Sequence, residues 1–237
     1  MNGVIARITL GGLLGRRRFL LLLPLPVLLI AAALIGRASG ADPADWSDPV
    51  LSGIGFGVVL PLIAVIVGTG VLGTEIDDGS IVNLITTPVP RRTIVLTKLA
   101  VATGVTVAAT ALPLFVAGVI VSSARLGFGL AVGAVAGAAA YTSLFLALSL
   151  VSRRPVLIGL AYLVVWESTL ANLLSGVRLL SVQQYALAIA DSVASTPLVT
   201  GRVSTVYAVI ASLVVLVGGT AFAVDRLRSF SVRGETG

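Results

Sequence analysis

Few side chains in this sequence are of a type that could carry out chemistry. Cysteine and histidine are both absent, which excludes thiol nucleophiles, imidazole bases and metal sites built on either side chain. The single lysine, Lys98, lies between Thr97 and Leu99, so the Gly-Lys-Ser/Thr loop that binds nucleotide phosphates is missing. We predict no catalytic, cofactor-binding or metal-binding residue on this chain, and the candidates that remain are carboxylates, at Glu75, Asp77, Asp78 and Glu167.

Glu167 is the most informative of these carboxylates because it interrupts a long apolar segment. A charge at the centre of a membrane-spanning helix costs about 2.5–3.5 kcal/mol on insertion scales. Glu167 lies 12 residues after Pro155, or about 18 Å along a helix and beyond the middle of a bilayer. Two interpretations are open. Either Glu167 and Asn172 line a substrate path or outer gate, or Glu167 caps or pairs within short outer helices over 168–201.

The elements that must position these residues are long and apolar. Of the 237 residues, 57% are hydrophobic and 11% are charged, and the mean hydropathy is +1.09. Soluble domains do not have this composition, and about 20 apolar residues in a row suffice for a helix to cross a bilayer. We predict one all-α membrane domain, residues 1–237, with six spans at about 19–36, 49–74, 99–122, 126–151, 155–175 and 203–224.

Basic residues predict the orientation of these spans. Twelve of the 16 lysines and arginines fall at the chain ends and in alternate connections, and the other connections hold only Arg37, Arg125, Arg178 and Arg202. Because short basic connections stay in the cytoplasm, we predict a multi-pass plasma-membrane protein with both termini and the 75–98 connection cytoplasmic. The net charge of +6 thus reflects membrane orientation, and the predicted surroundings are the lipid bilayer, with no nucleic-acid partner.

The amino-terminal region supports more than one interpretation. Apolar residues among arginines predict a short elbow helix in the membrane interface, built on Ile8, Leu10, Leu13 and Leu14. A disordered basic tail fits the same residues. The arginines at 16–18, ahead of an apolar stretch, also have features of a twin-arginine signal peptide. The long apolar stretch and the five spans that follow it disfavour that interpretation.

Three glycines in the fourth predicted span recur every four residues, at Gly129, Gly133 and Gly137. This spacing places them on one face of a helix. Small residues on one face let helix backbones approach closely within a membrane. We therefore predict that this face packs against another helix of the same chain.

The connection between the second and third spans has the pattern of a short amphipathic helix. Gly79 and Ser80 give a flexible point and a helix-start signal, after which Ile81, Leu84 and Ile85 share one face. Pro88 and Pro90 then end the helix, and Arg91 follows as the chain re-enters the membrane. The physical pattern fits two uses equally, docking in a groove of a partner protein or lying on anionic lipid.

The same stretch resembles the permease subunits of type-two (export-type) ABC transporters. The resemblance extends to the layout of nearly the whole chain, with six spans, a basic elbow and a long second cytoplasmic connection. The matching residues are Glu75, Gly79, Ser80, Leu84, Pro88, Val89, Arg91 and Lys98, and Pro90 departs from the pattern.

That resemblance implies a coupling role for Glu75, Gly79, Ile81, Leu84, Ile85, Pro88 and Arg91. It implies that the connection lies against an ABC ATP-binding subunit, present in two copies, which holds the ATP and magnesium. It further implies a second six-span permease subunit, identical or homologous. Closure of the ATPase pair would then drive alternating access and export of a substrate that the sequence does not identify.

Two other functions remain as alternatives. One is an ion-gradient-driven carrier or channel that uses Glu167 as a proton or cation site, although the two halves of the chain lack the matched broken helices of inverted repeats. The other is a membrane enzyme with a divalent metal at Glu75, Asp77 and Asp78, which lacks further ligands. The sequence favours a transport subunit that is not itself an enzyme.

Overall fold

The computed structural model describes residues 3–14, 23–77 and 90–229, and every regular element within them is a helix. Prolines occupy the first turn of several helices, where their missing N–H costs nothing. Asp42, Ser123 and Ser181 cap the starts of three helices, and the one capped by Asp42 also begins with a proline. The elements are α1 (Gly3–Leu14), α2 (Pro24–Ala38), α3 (Pro43–Asp48), the π-helix π1 (Pro49–Val59), α4 (Leu60–Asp77), α5 (Arg91–Val121), α6 (Ala124–Ser149), α7 (Pro155–Tyr162), the π-helix π2 (Leu163–Leu170), α8 (Ala171–Leu173), α9 (Ser175–Arg178), α10 (Val182–Ala194) and α11 (Thr205–Ser229).

Four helical runs in the described residues are long and apolar enough to cross a membrane. They are Pro43–Gly73, Arg91–Val121, Ala124–Ser149 and Thr205–Leu227. The predicted first and fifth spans contain shorter apolar helices, Pro24–Ala38 and Pro155–Leu170. The described residues therefore form an all-helical membrane architecture, as predicted. The count of six spans stays a prediction.

Two of the observed helical runs begin well before the spans predicted for them. The second helical run begins at Pro43 rather than near 49, because Asp42 caps α3 by accepting a 2.9 Å bond from the Ala44 N–H and α3 continues into π1. Helix α5 begins at Arg91 rather than near 99, directly after Pro90. An amino-terminal helix, α1, occupies the position of the predicted elbow, and its place at the membrane surface stays a prediction.

Helix α6 is the centre of the bundle. In the most apolar stretch of α6, 67% of the residues are buried. In the corresponding stretch of α11, at the periphery, the buried share is 17%. Helices α4, α5, α10 and α11 all pack against it. Small residues allow these helices to approach one another closely. Near the α5–α6 turn, a Cβ added to Gly118 would lie 2.6 Å from the Cα of Gly127, so the two backbones touch there.

One end of the bundle gathers the ends of four long helices. There the chain leaves α4 and enters α5 through residues 78–89, which lie outside the described residues, and α6 and α11 also end there. We call this the connection end, and the opposite end, near Arg37 and Ile120, the far end. A separate apolar cluster holds the four helices together at the connection end, with Leu72, Ile94, Leu146, Leu150 and Leu227 among its members.

Candidate functional site

Glu167 is buried at 2% exposure and its carboxylate accepts three hydrogen bonds. The Tyr162 hydroxyl donates to Oε1 at 3.0 Å, and the backbone N–H of Val182 donates to the same oxygen at 3.0 Å. The Ser181 hydroxyl donates to Oε2. Both carboxylate oxygens are thus engaged within the chain.

The π-helical turn explains why Tyr162 can reach Glu167. In a π-helix the backbone bonds join residues five apart rather than four, so residues i and i+5 lie on one face. Tyr162 and Glu167 have this spacing. Thr169 has the same relation to Val164, to whose carbonyl its hydroxyl donates at 2.8 Å.

The carboxylate caps the amino-terminus of α10. The first N–H groups of a helix lack partners within the helix, and the positive end of the helix dipole favours an anion there. Glu167 takes the Val182 N–H, and the Ser181 hydroxyl accepts the Gln184 N–H at 3.2 Å. Glu167 thus caps a helix within the 168–201 segment, as one of its two interpretations expected, while the place of this segment on the outer side of the membrane stays a prediction.

Helix α10 lies in a groove made by the three glycines of α6. A Cβ on Gly133 would lie 2.5 Å from the Ala186 carbonyl oxygen, and a Cβ on Gly129 would lie 2.7 Å from that of Ala190. At Gly137 the nearest atom is a side-chain methyl of Leu60, at 2.7 Å. The glycine face thus packs within the subunit, as its spacing predicts.

Other contacts fix both flanks of α10. The Gln183 side chain donates to the Ser52 carbonyl of π1 at 3.2 Å. Asp191, in the last turn of α10, accepts a 2.8 Å hydrogen bond from the N–H of Gly201, which lies beyond the end of the helix. Tyr141 of α6, fully buried, lies beside the Glu167 carboxylate. Glu167 therefore lies where π2, α6 and α10 meet, inside the bundle.

Some of these partners escaped prediction from the sequence. Ser181 could have been predicted as a capping residue, because the sequence Ser181-Val182-Gln183-Gln184 has the Ser-x-x-Gln form of a helix start. Tyr162 and Tyr141 could not have been predicted as neighbours of Glu167. The first reaches the carboxylate because of a π-helical turn, and the second because of the packing of α6. The side chain of Asn172 lies outside the described residues, so its predicted place beside Glu167 stays a prediction, as does a substrate-path role.

The predicted coupling residues lie mostly outside the described part of the chain. This applies to Gly79, Ile81, Leu84, Ile85 and Pro88, and to the side chain of Glu75, whose backbone belongs to α4. Arg91 is described at the first residue of α5, and its guanidinium donates a 2.8 Å bond to the Leu227 carbonyl of α11. Among the predicted coupling residues, the structure therefore describes the side chain of Arg91, and it also describes the two helices that flank the connection.

Lys98 joins the two helices that flank that connection. The side chain is buried at 1% exposure, and its Nζ donates to the Val71 carbonyl of α4 at 2.9 Å. The end of α4 and the beginning of α5 are therefore joined directly, one turn or two from the residues that link them.

A bundle with four membrane-length apolar helices in its described residues and a buried carboxylate defines an integral membrane protein. The family model described as ABC-2 family transporter protein matches residues 17–182. Since that is more than half of the chain, the protein belongs to this family. A comparison with curated proteins finds no match.

Family membership confirms the resemblance drawn from the connection between the second and third predicted spans. It makes the chain a membrane component of a transporter, and it implies association with an ABC ATP-binding subunit. The matched region ends at residue 182, so it includes Glu167 and Ser181 but not the remainder of α10.

Proposed function

We propose that the chain is the permease subunit of an ATP-driven exporter and moves an unidentified substrate by alternating access. The observation that carries this proposal is the family match over 17–182. The sequence has no Gly-Lys-Ser/Thr phosphate loop, so hydrolysis is assigned to a separate ABC ATP-binding subunit in two copies. ATP and magnesium bind there, and this chain has no cofactor and no catalytic role of its own.

The proposed topology has six spans in the plasma membrane with both termini in the cytoplasm. Four long apolar helices support it directly, and α2 and the α7–π2 run supply the shorter pair. Basic residues support the orientation, because Arg91, Arg92, Arg153, Arg154 and Arg226 all lie at or near the connection end, where four helix ends meet.

The 75–98 connection is the proposed contact with the ATPase. Force applied to it would reach two pairs of helices at once. Lys98 joins α5 to α4, and Arg91 joins α5 to α11. Because packed helices move as rigid bodies rather than deform, these bonds provide a route by which ATPase closure displaces the bundle.

A second six-span permease subunit completes the proposed assembly. The outer surface of the single chain supports a partner as well as lipid, because α11 is mostly exposed. An ion-gradient-driven carrier that uses Glu167 remains the alternative. The three hydrogen bonds that this carboxylate accepts from Tyr162, Ser181 and Val182 favour a structural role for it.

Co-purification tests the proposed coupling. The full chain is extracted in mild detergent from the cells that produce it, and the amount of ABC ATP-binding subunit retained with it is measured. Changing Ile81, Leu84 and Ile85 to alanine should release the ATPase. A matched control changes three exposed apolar residues at the far end, Leu173, Leu174 and Leu180, and should retain it.

Reconstitution tests the energy source. Proteoliposomes that contain the permease and the ATPase should transport only with hydrolysable ATP. Transport by the permease alone, driven by an ion gradient, would refute the proposal and favour the carrier.

A further inference from the structure

We propose that the groove between α5 and α11 at the connection end binds an anionic phospholipid. One acyl chain lies in the groove and the phosphate lies at Arg92. This inference does not depend on the cargo or on ATP, and it concerns a lipid held by the subunit rather than a lipid transported by it.

The groove is apolar along its length. It has a volume of about 600 Å³ and is lined by Leu96 and Leu99 of α5 and by Leu216, Val217 and Val224 of α11. Thr220 also lines it, but its hydroxyl donates to the Leu216 carbonyl at 2.6 Å and so requires no polar partner. Such a surface suits a hydrocarbon chain.

The depth of the groove matches one leaflet. From Arg92 to Leu99 the rise along α5 is about 10 Å, and from Asp225 back to Leu216 along α11 it is about 14 Å. Half of a bilayer core is about 15 Å thick. A chain that enters at the charged end therefore reaches close to the middle of the membrane.

The mouth of the groove is positively charged. Arg92 lines it and is exposed, and no residue in the described part of the chain pairs with it. Arg91 and Arg226 lie at the same end. Asp225 is the acidic residue at the mouth, and it already has an interaction partner. Basic pockets between spanning helices attract anionic headgroups, and a guanidinium can bind a phosphate with two parallel hydrogen bonds.

The groove is open and preformed. Leu96 is 50% exposed and Val217 is 64% exposed, so its open side is on the surface of the subunit. Its floor is fixed, because Leu99 and Val224 belong to the buried cluster of the connection end and Arg91 joins the same two helices. A lipid therefore binds without reordering the helices, which lowers the cost of binding.

Native mass spectrometry of the full chain in mild detergent tests the proposal. The protein is equilibrated with equal amounts of phosphatidylglycerol and phosphatidylcholine that carry identical acyl chains, and bound lipids are counted. The wild type should prefer phosphatidylglycerol. Arg92→Gln should reduce that preference about fivefold, the equivalent of about 1 kcal/mol for one cation near the surface. Arg92→Lys, which keeps the charge, should retain most of it.

Two further variants separate headgroup from chain. Arg153→Gln removes another exposed arginine near the same end and should leave the preference unchanged. Ala221→Trp, at an exposed position of the groove, should exclude the chain and reduce binding of both lipids. Each variant is first required to show the thermal stability of the wild type.

Three results would overturn the proposal. The first is an equal loss of preference in Arg92→Gln and Arg153→Gln, which would indicate general surface charge. The second is unchanged lipid binding in Ala221→Trp. The third is dissociation of a dimer by Ala221→Trp with lipid binding intact, which would identify the groove as an interface between copies of the chain.

Discussion

The Nζ of Lys98 donates a 2.9 Å hydrogen bond to the carbonyl oxygen of Val71, and this bond joins the start of α5 to the end of α4. Lys98 is the only lysine of the chain and is almost completely buried. A buried ammonium is costly unless it is bonded. Its position at the base of the 78–89 connection makes it a direct link between the two helices that this connection joins.

We expect Lys98→Met to keep the fold and to weaken coupling. Methionine fills the space of the lysine stem and carries no charge that burial would penalise, so the apparent Tm should change by only a few degrees. Without the bond to Val71, the ends of α4 and α5 are held together by apolar packing alone and follow each other less closely. Substrate-stimulated ATP hydrolysis by the assembled transporter should therefore fall several-fold.

The matched control for Lys98 is Arg153→Met, which removes an exposed cation near the same end. Its stimulated hydrolysis should equal that of the wild type. An unchanged rate in Lys98→Met, with the ATPase still bound, would show that the Lys98–Val71 bond has no part in coupling.

Much of the fold follows from the sequence because lipid imposes simple rules. A spanning helix must be long and apolar, and the four long helical runs fall within or around predicted spans. The glycine face at 129, 133 and 137 predicts close packing because small residues are the means by which helices associate in lipid. Its partner, α10, could not be identified, since spacing on one helix does not indicate what covers it.

The site was harder to predict because its geometry depends on irregular backbone. An α-helical register would separate Tyr162 from Glu167, and only the π-helical turn at Leu163–Leu170 brings them onto one face. The cost of a charge within an apolar segment indicated that Glu167 has partners. Which groups those are depends on how the chain turns back at Ser181.

Gly133→Ala should destabilise the subunit by about 1–3 kcal/mol, the range for overpacking a tight interior contact. The new Cβ would lie 2.5 Å from the carbonyl oxygen of Ala186, and backbone atoms cannot move aside as a side chain can. Gly104→Ala is the control, since nothing lies within 4 Å of its Cβ position. Thermal unfolding in detergent compares them, and equal Tm values would contradict the close packing of α6 and α10.

Glu167→Ala should destabilise the chain more than Glu167→Gln. Alanine leaves the Tyr162 hydroxyl, the Ser181 hydroxyl and the Val182 N–H without their acceptor, and each buried group left unpaired costs about 1–3 kcal/mol. Glutamine keeps an oxygen that can accept from Tyr162 and Val182, so most of the stability should remain. Thermal unfolding measures the difference.

Transport assays on Glu167→Gln separate the two roles proposed for this residue. A structural role predicts normal assembly and near-normal transport. Normal assembly with abolished transport would instead assign Glu167 to the substrate path or outer gate. Tyr162→Phe, which removes one of the three bonds, is the matched control for a purely structural loss of about 1 kcal/mol.

Arg91→Gln should loosen the last turns of α11. The final carbonyls of a helix have no partner within it, and the Arg91 guanidinium supplies one to Leu227 at 2.8 Å while its charge favours the negative end of the helix. Glutamine is shorter and uncharged, so amide hydrogen exchange over residues 222–229 should accelerate about tenfold, the equivalent of about 1.4 kcal/mol. The neighbouring Arg92 is exposed and lacks that bond. Arg92→Gln should therefore leave exchange in α11 unchanged, and equal acceleration in both variants would show that charge at this end, rather than the bond to Leu227, holds the helix end in place.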